Sequence, residues 1–504
     1  MKAFLKITAL FLVLVMLVAS FASCQAPTPG EETTASSSGS NSNSNPSSNS
    51  NSTSSKDESL SETESESMEY VPEIDQKNYN EEFYLWIMGD VNPVEYYWVE
   101  ESMNDSMSEA LYSRQENVRE HIGVEIIGTR TETVKDYIQP FKTAIKNKDD
   151  SVHLLISHVF YGIDGFITGN YIVDFNDVPE INLDAEYWNT DVMDQISING
   201  KYFLGFSDFN ILYTHVLSFN KAMLAQYEDQ LDESIYSMVE NYHWTVDKMM
   251  WLASLAYIDT NADGKTNDDI FGLVGYQSVP FIGFMHASNI NVVEPNEKGD
   301  YVISLYNEKN KQRMSNLVDK LSSLSRSEYA NLMGGYFYNG MTTGMALMEI
   351  SSTFKLPGYL DSNVKFGVVP FPMYDEAQKD VGYRSLQWGG YLCIPSYLSN
   401  AEMVGETVEL LSYYSDPVNV AFYEKLLGKQ VAEAPLDRKM LDIVWDSVCS
   451  DFGQTYFSVI ETTNFVYILP EITKVGATEN LASFVARHES VANRNLKKFV
   501  GKVK

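Results

Sequence analysis

The sequence predicts an α/β protein in which helices flank mostly parallel sheets, divided into two lobes. Two observations predict it. Short apolar runs alternate with helical stretches through the first half of the globular region, the pattern of strand–helix–strand units. About 425 residues follow the N-terminal low-complexity segment of the 504-residue chain, more than one ordinary hydrophobic core holds. In order, Glu82–Met88 reads as a strand, Ser106–His121 as a helix and Val124–Gly128 as a strand. Thr133–Asn147 reads as a helix, and Val152–Val159 as a fully apolar third strand. Trp244–Ile258 is helical and Phe271–Tyr276 is a strand. Beyond residue 400 the chain is mainly helical, as in Glu402–Tyr414 and Asn480–Phe499. No internal repeat is evident.

The N-terminus reads as a signal peptide over residues 1–23. Lys2 and Lys6 form a short basic region. Ile7–Val18 is apolar but short for a membrane span. Ala22-Ser23-Cys24 resembles a bacterial lipobox, which implies diacylation of Cys24 and anchorage in a membrane. Phe21 departs from the Leu usual at the start of that box. Residues 24–79 read as the lipidated cysteine and a tether. From Ser36 to Ser67 nearly every residue is Ser, Asn, Thr or Glu, too polar to offset chain entropy by burial, so disorder is expected. As a flexible coil such a tether reaches roughly 40 Å.

The formal net charge is −33, with 36 basic and 69 acidic residues. That surface repels phosphate backbones and argues against nucleic acid as a partner. Besides Cys24 there are two cysteines, Cys393 and Cys449, expected as free buried thiols. Neither a zinc-spaced Cys/His cluster, a nucleophile elbow, a phosphate loop nor a dinucleotide fingerprint occurs. The seven histidines are scattered. The 69 acids make any spacing argument for a glycosidase pair uninformative.

One local motif carries metal chemistry. Asp259, Asn261 and Asp263 stand at positions 1, 3 and 5 of a loop with Gly264 at position 6. Lys265 would add its backbone carbonyl and Asn267 its amide. This is the oxygen-rich, sharply turned pattern that calcium selects, although Ile270 stands where a bidentate Glu is usual. The alternative is an Asx-rich turn that ends a helix. No cofactor is required; a structural calcium is the one ion suggested.

Several segments in order resemble the extracellular solute-binding proteins of ATP-driven sugar importers, the maltose-binding-protein type. They are Asp184–Trp188 followed by Ile198–Phe203, His215–Lys221, His243–Asp247, the acidic loop Asp259–Gly272, Gly344–Met348 and, most specifically, Phe366–Met373. The resemblance covers most of the chain. It implies a type II periplasmic-binding-protein-like fold, with a hinged cleft between two α/β lobes. It implies lobe one at 80–212 and 338–389 and lobe two at 213–337 and 390–504, with Gly344–Met348 as a helix returning to lobe one. It also implies a monomer, not an enzyme, that captures a solute, above all a sugar or oligosaccharide, for a membrane permease. A non-sugar solute, a sensing role and a surface glycan-degrading enzyme are the alternatives.

Sugars present apolar C–H faces and many hydroxyls, so aromatic platforms from both lobes are expected at the cleft. Tyr161, where the third strand ends, Trp188, and Trp388 just before Gly389-Gly390 are the candidates around lobe one. Phe281 and Phe284, flanking Gly283, are those of lobe two. Asp90, after the first strand, is placed to accept hydroxyl hydrogen bonds.

Overall fold

The computed structural model describes residues 71–503, apart from 90–93, 134, 333–339 and 429–434. Cys24, Asp90 and the Ser/Asn-rich segment therefore lie outside the described residues. The described chain belongs to one compact unit, 68–504.

The first sheet forms where expected. Glu81–Ile87 alternates, with Phe83, Leu85 and Ile87 fully buried, as the two-residue period of a strand requires. It pairs in parallel with Val124–Arg130 on one side and Leu154–Ile156 on the other. Between the first two strands runs the helix Ser106–Ile122. Asp105 caps its start by accepting the Ser108 N–H. Gly123 closes its end at φ +69°, where a side chain would also meet Asn78. The following helix starts later than expected, at Ile138, and the third strand is only three residues long, Leu154–Ile156. Just beyond it, Ser157 N–H still bonds the Tyr391 carbonyl, next to the paired Leu392.

The second sheet has the order Phe366–Val369, His215–Asn220, Ala346–Ser352, Phe271–Val274, Ala330–Asn331. His215–Asn220 runs antiparallel to both Phe366–Val369 and Ala346–Ser352, and the last two run parallel to Ala346–Ser352. Every residue of His215–Asn220 and of Ala346–Ser352 is buried, as befits strands covered on both faces.

These pairings correct the expected lobe boundaries. Gly344–Met348, expected as a helix returning to lobe one, instead leads into the strand Ala346–Ser352 in the middle of the second sheet, and Phe366–Val369 belongs to the same sheet. Leu392–Cys393, assigned by sequence to lobe two, is the antiparallel edge of the first sheet. The helices Ala401–Tyr413 and Asp416–Leu427 pack on Ser106–Ile122, so they also accompany the first sheet, whereas Pro435–Asp446 and Ile468–Thr473 pack against elements of the second. An apolar stretch looks alike in either lobe; only its hydrogen-bonding partners decide.

The folded unit also begins earlier than residue 80. The Ile74 carbonyl contacts His121 Nε2, the Lys77 and Tyr79 N–H groups bond the end of Ser106–Ile122, and Lys77 and Tyr79 both reach Glu406. Arg114 ties helices together from inside. Its guanidinium donates to the Tyr97 carbonyl and Ser415 Oγ and lies 4.4 Å from the Phe209 ring centroid. Burial lowers its pKa to about 9. Cys393 and Cys449 are buried free thiols, and burial raises both pKa values. Among the described residues no helix is long and apolar enough to cross a membrane.

Candidate functional site

Two chain crossings join the sheets. Both are connections between strands among the described residues: one enters the strand at His215, and the other runs from Phe366–Val369 through the short strand Ser385–Leu386, paired with Val448–Cys449, into the strand at Leu392. They are bonded to each other. Trp388 N–H donates to the Tyr213 carbonyl (2.8 Å), Thr214 Oγ1 to the Leu386 carbonyl (2.8 Å) and Asn210 Nδ2 to the Gly390 carbonyl (2.9 Å). Gly390 needs its missing side chain, because a Cβ there would stand 2.1 Å from the Ser157 carbonyl oxygen.

A continuous line of aromatic rings runs across these crossings. It starts where the third strand of the first sheet ends. There His158 accepts the Phe160 N–H at Nδ1 and stands 5.1 Å, ring to ring, from Tyr161. Phe160 meets Trp388 at 5.6 Å, Phe457 at 5.3 Å and Tyr467 at 6.3 Å. Trp388 stands edge-on to His215 at 5.1 Å, His215 lies 6.2 Å from Phe371, and Phe371 packs on Phe284 at 4.7 Å. Phe281 completes the line, 5.5 Å from Phe284. These separations are those of favourable aromatic pairs. Phe160, Tyr161, Phe457 and Tyr467 are half-buried and form the open end, where Ser458 Oγ also donates to Asp164 (2.6 Å). Trp388, His215, Phe371 and Phe284 are buried behind them; Trp388, His215 and Phe371 line, with Gly283 and Arg384, a gap too small to admit a water molecule.

This inner wall carries unanswered polar atoms. Trp388 Nε1, His215 Nδ1, Gln387 Oε1 and Nε2, and Gln454 Oε1 are buried with no hydrogen-bond partner among the described residues. Buried polar atoms are normally paired, so five such atoms near one crossing are unusual. Burial alone drives the His215 pKa down to about 3, so its imidazole is neutral at pH 7. The unpaired groups are thus uncharged donors and acceptors beside aromatic faces, with the Arg384 guanidinium, held by Asn289 and Asn291, lining the same gap.

The structure brings together four of the candidates: Tyr161, Trp388, Phe284 and Phe281. Phe281 and Phe284 lie on the buried helix Val279–Ala287, so they back the site and do not face solvent. Tyr161 carries the Lys135 ammonium over its ring at 5.0 Å. Trp188 is elsewhere. It packs edge-on against Phe175 and donates through Nε1 to Glu409, which also accepts from Tyr187. Its role is to anchor that carboxyl, whose pKa burial raises. Sequence reasoning missed Phe160, although it adjoins Tyr161, and His215 at the crossing. Phe457 and Tyr467 carry no local signal, because helical packing alone delivers them.

The acidic loop closes largely on itself. Asp259 accepts the N–H groups of Ala262 and Gly264, Asn261 accepts that of Asp263, and Lys265 donates its ammonium to the Ser327 and Ala330 carbonyls. Asn267 accepts from Asn331, and Gly264 takes φ +90°. No group of three or more His, Cys, Asp or Glu side chains suited to a metal ion occurs among the described residues.

With this geometry in view, the comparisons bear on the fold. A substrate-binding protein of an ABC system, Lmo0181 from Listeria monocytogenes, solved with cycloalternan, superposes with a TM-score of 0.50 at 12% identity, covering 85% of this chain and 100% of its own. The fold is that of the two-lobed, maltose-binding-protein-like proteins. The maltose/maltodextrin-binding domain MalE from Bdellovibrio bacteriovorus, bound to maltotriose, is 14% identical over 84% of this chain and 99% of its own, with a TM-score of 0.49. The GacH receptor of Streptomyces glaucescens GLA.O, described unliganded and with acarbose, is 14% identical over 84% and 99%, with a TM-score of 0.48. No protein-family model and no curated protein sequence matches the chain.

Proposed function

We propose that this chain is an extracellular solute-binding protein that holds a sugar or oligosaccharide between its two lobes and hands it to the membrane permease of an ABC importer. The observation that carries this reading is the ring line over the two crossings, with uncharged polar atoms left unpaired behind it. Stacking on Phe160, Tyr161 or Tyr467 suits the apolar face of a sugar, while Trp388 Nε1 and Gln387 suit its hydroxyls. The rings already touch, so a solute must part them, and bending at the crossings is the motion that does so. The reading is binding without turnover, and the similarly folded Lmo0181 is a substrate-binding protein solved with cycloalternan. Asp90, which lies outside the described residues, is proposed from the sequence alone as an acceptor for solute hydroxyls.

Thermal-shift screening of the purified chain against glycan, peptide and polyamine panels tests it. A glycan at 100 times its dissociation constant adds about 2.7 kcal/mol of stability. Stabilisation by peptides or polyamines alone would replace the sugar, and release of a glycan product would replace binding by catalysis. We further propose anchoring through a lipid on Cys24, behind a signal peptide and tether. Cys24→Ala is expected to release the protein from bacterial membranes; equal membrane retention would refute the anchor. Calcium at Asp259, Asn261, Asp263, Lys265 and Asn267 is proposed as a structural ion. Two carboxylates supply few charges, so the binding is weak.

A further inference from the structure

Away from the ring line, a surface groove of about 800 Å³ lies beside the helix Val246–Ser254 and the short helix Glu376–Asp380. Trp251 lines it and is 36% exposed, one of few large apolar side chains left open among the described residues. Val381 and Tyr242, at 52% and 41%, are exposed close by; Val381 ends the short helix, and Tyr242 stacks on Tyr383 two residues further on. Asp232, Asp247, Asp375 and Glu376 also line the groove, against the single ammonium of Lys248.

Three details define what fits. Lys248 Nζ lies over the Trp251 ring, 4.9 Å from its centroid, so this ring face already attracts a cation. Asp247 is answered by Lys320 at 2.7 Å. Asp375 Oδ1, by contrast, has no hydrogen-bond partner among the described residues and is buried as the side chain stands, so a donor reaches it once that side chain turns, while the neighbouring Glu376 carboxylate is already exposed on the groove. A guanidinium meets both demands. Its plane stacks on indole, replacing the Lys248 ammonium, and its paired N–H groups match a carboxylate; an ammonium lacks the plane, and a sugar hydroxyl lacks the charge. We propose that this groove docks a basic, arginine-bearing segment of a partner protein. The charge of the groove selects its partner, and the acidic surface of the whole chain speeds the encounter.

The probe is a short peptide of alternating Arg and Gly, blocked at both ends, titrated into the full chain by calorimetry, with the Lys–Gly peptide alongside. The expected result is saturable binding that salt weakens and that is tighter for the Arg peptide. Its dissociation constant should rise at least tenfold in Trp251→Ala and in Asp375→Asn with Glu376→Gln. A control removes two charges outside the groove, Glu297→Gln with Glu489→Gln, and should keep the parent affinity. No saturable binding, equal loss in the control, or equal affinity for both peptides would overturn the proposal. So would a neutral glycan that occupies the Trp251 groove while the Arg peptide does not.

Discussion

Replacing Trp388 by Phe separates stability from binding. The indole is 4% exposed and touches Phe160 and His215, so the phenyl ring keeps most of the contact. The lost pyrrole portion leaves a void that costs about 1–2 kcal/mol. Against this, the substitution removes a buried N–H with no partner among the described residues, relieving about 1–3 kcal/mol of desolvation. The two terms offset, and the solute-free variant is expected to unfold within about 1 kcal/mol of the parent in urea. Binding moves differently. If Nε1 donates to the bound solute, its removal costs about 1–1.5 kcal/mol, roughly a tenfold rise in dissociation constant. Urea titration without solute and calorimetry with the glycan found by screening give the two numbers. A stability loss above about 3 kcal/mol would mean that Nε1 is paired in the free protein. Unchanged affinity would remove Trp388 from the site.

Two further predictions concern pH. His215 is held neutral by burial, its pKa near 3 against 6.5 for the unfolded chain. The unfolded state therefore takes up the proton first, and stability falls as pH drops from about 6.5 toward 3. At pH 5 this amounts to about 2 kcal/mol, and His215→Gln should lose that part of the slope in urea titrations at pH 7 and 5. Asp208 behaves oppositely. Burial, with Asp416 second, raises its pKa to about 7, so the folded state is favoured below the unfolded value of 3.8 and loses that advantage as pH rises through 7. Asp208→Asn should raise the melting temperature at pH 8 and leave it little changed at pH 4; destabilisation at pH 8 would refute the assignment. Chelator is expected to lower the melting temperature of the parent and not of Asp263→Ala. Identical parent curves with and without chelator would remove calcium from the loop.

Some of this was legible in the sequence because it is local. The strand Glu81–Ile87 and the helix Ser106–Ile122 announce themselves by period and caps, since burial of one face and pairing of terminal N–H groups act over a few residues. The Gly389-Gly390 pair marked a crossing because a close backbone approach excludes side chains, and Trp388 stands at that crossing. Trp188 shows the limit: a Trp near a crossing looks the same whether it faces a solute or, as here, satisfies Glu409.

Composition, the N-terminal pattern and the order of strands and helices were thus set by the sequence alone, along with the two-lobed α/β class. Membership of each lobe was decided by tertiary structure. Ala346–Ser352 and Leu392–Cys393 are short apolar strands whose sheet depends on which edge offers free N–H and C=O groups. The site was decided the same way. Phe160, His215, Phe371, Phe457 and Tyr467 come from four distant stretches of chain, and ring packing at 5–6 Å is a property of their meeting, which no single stretch encodes.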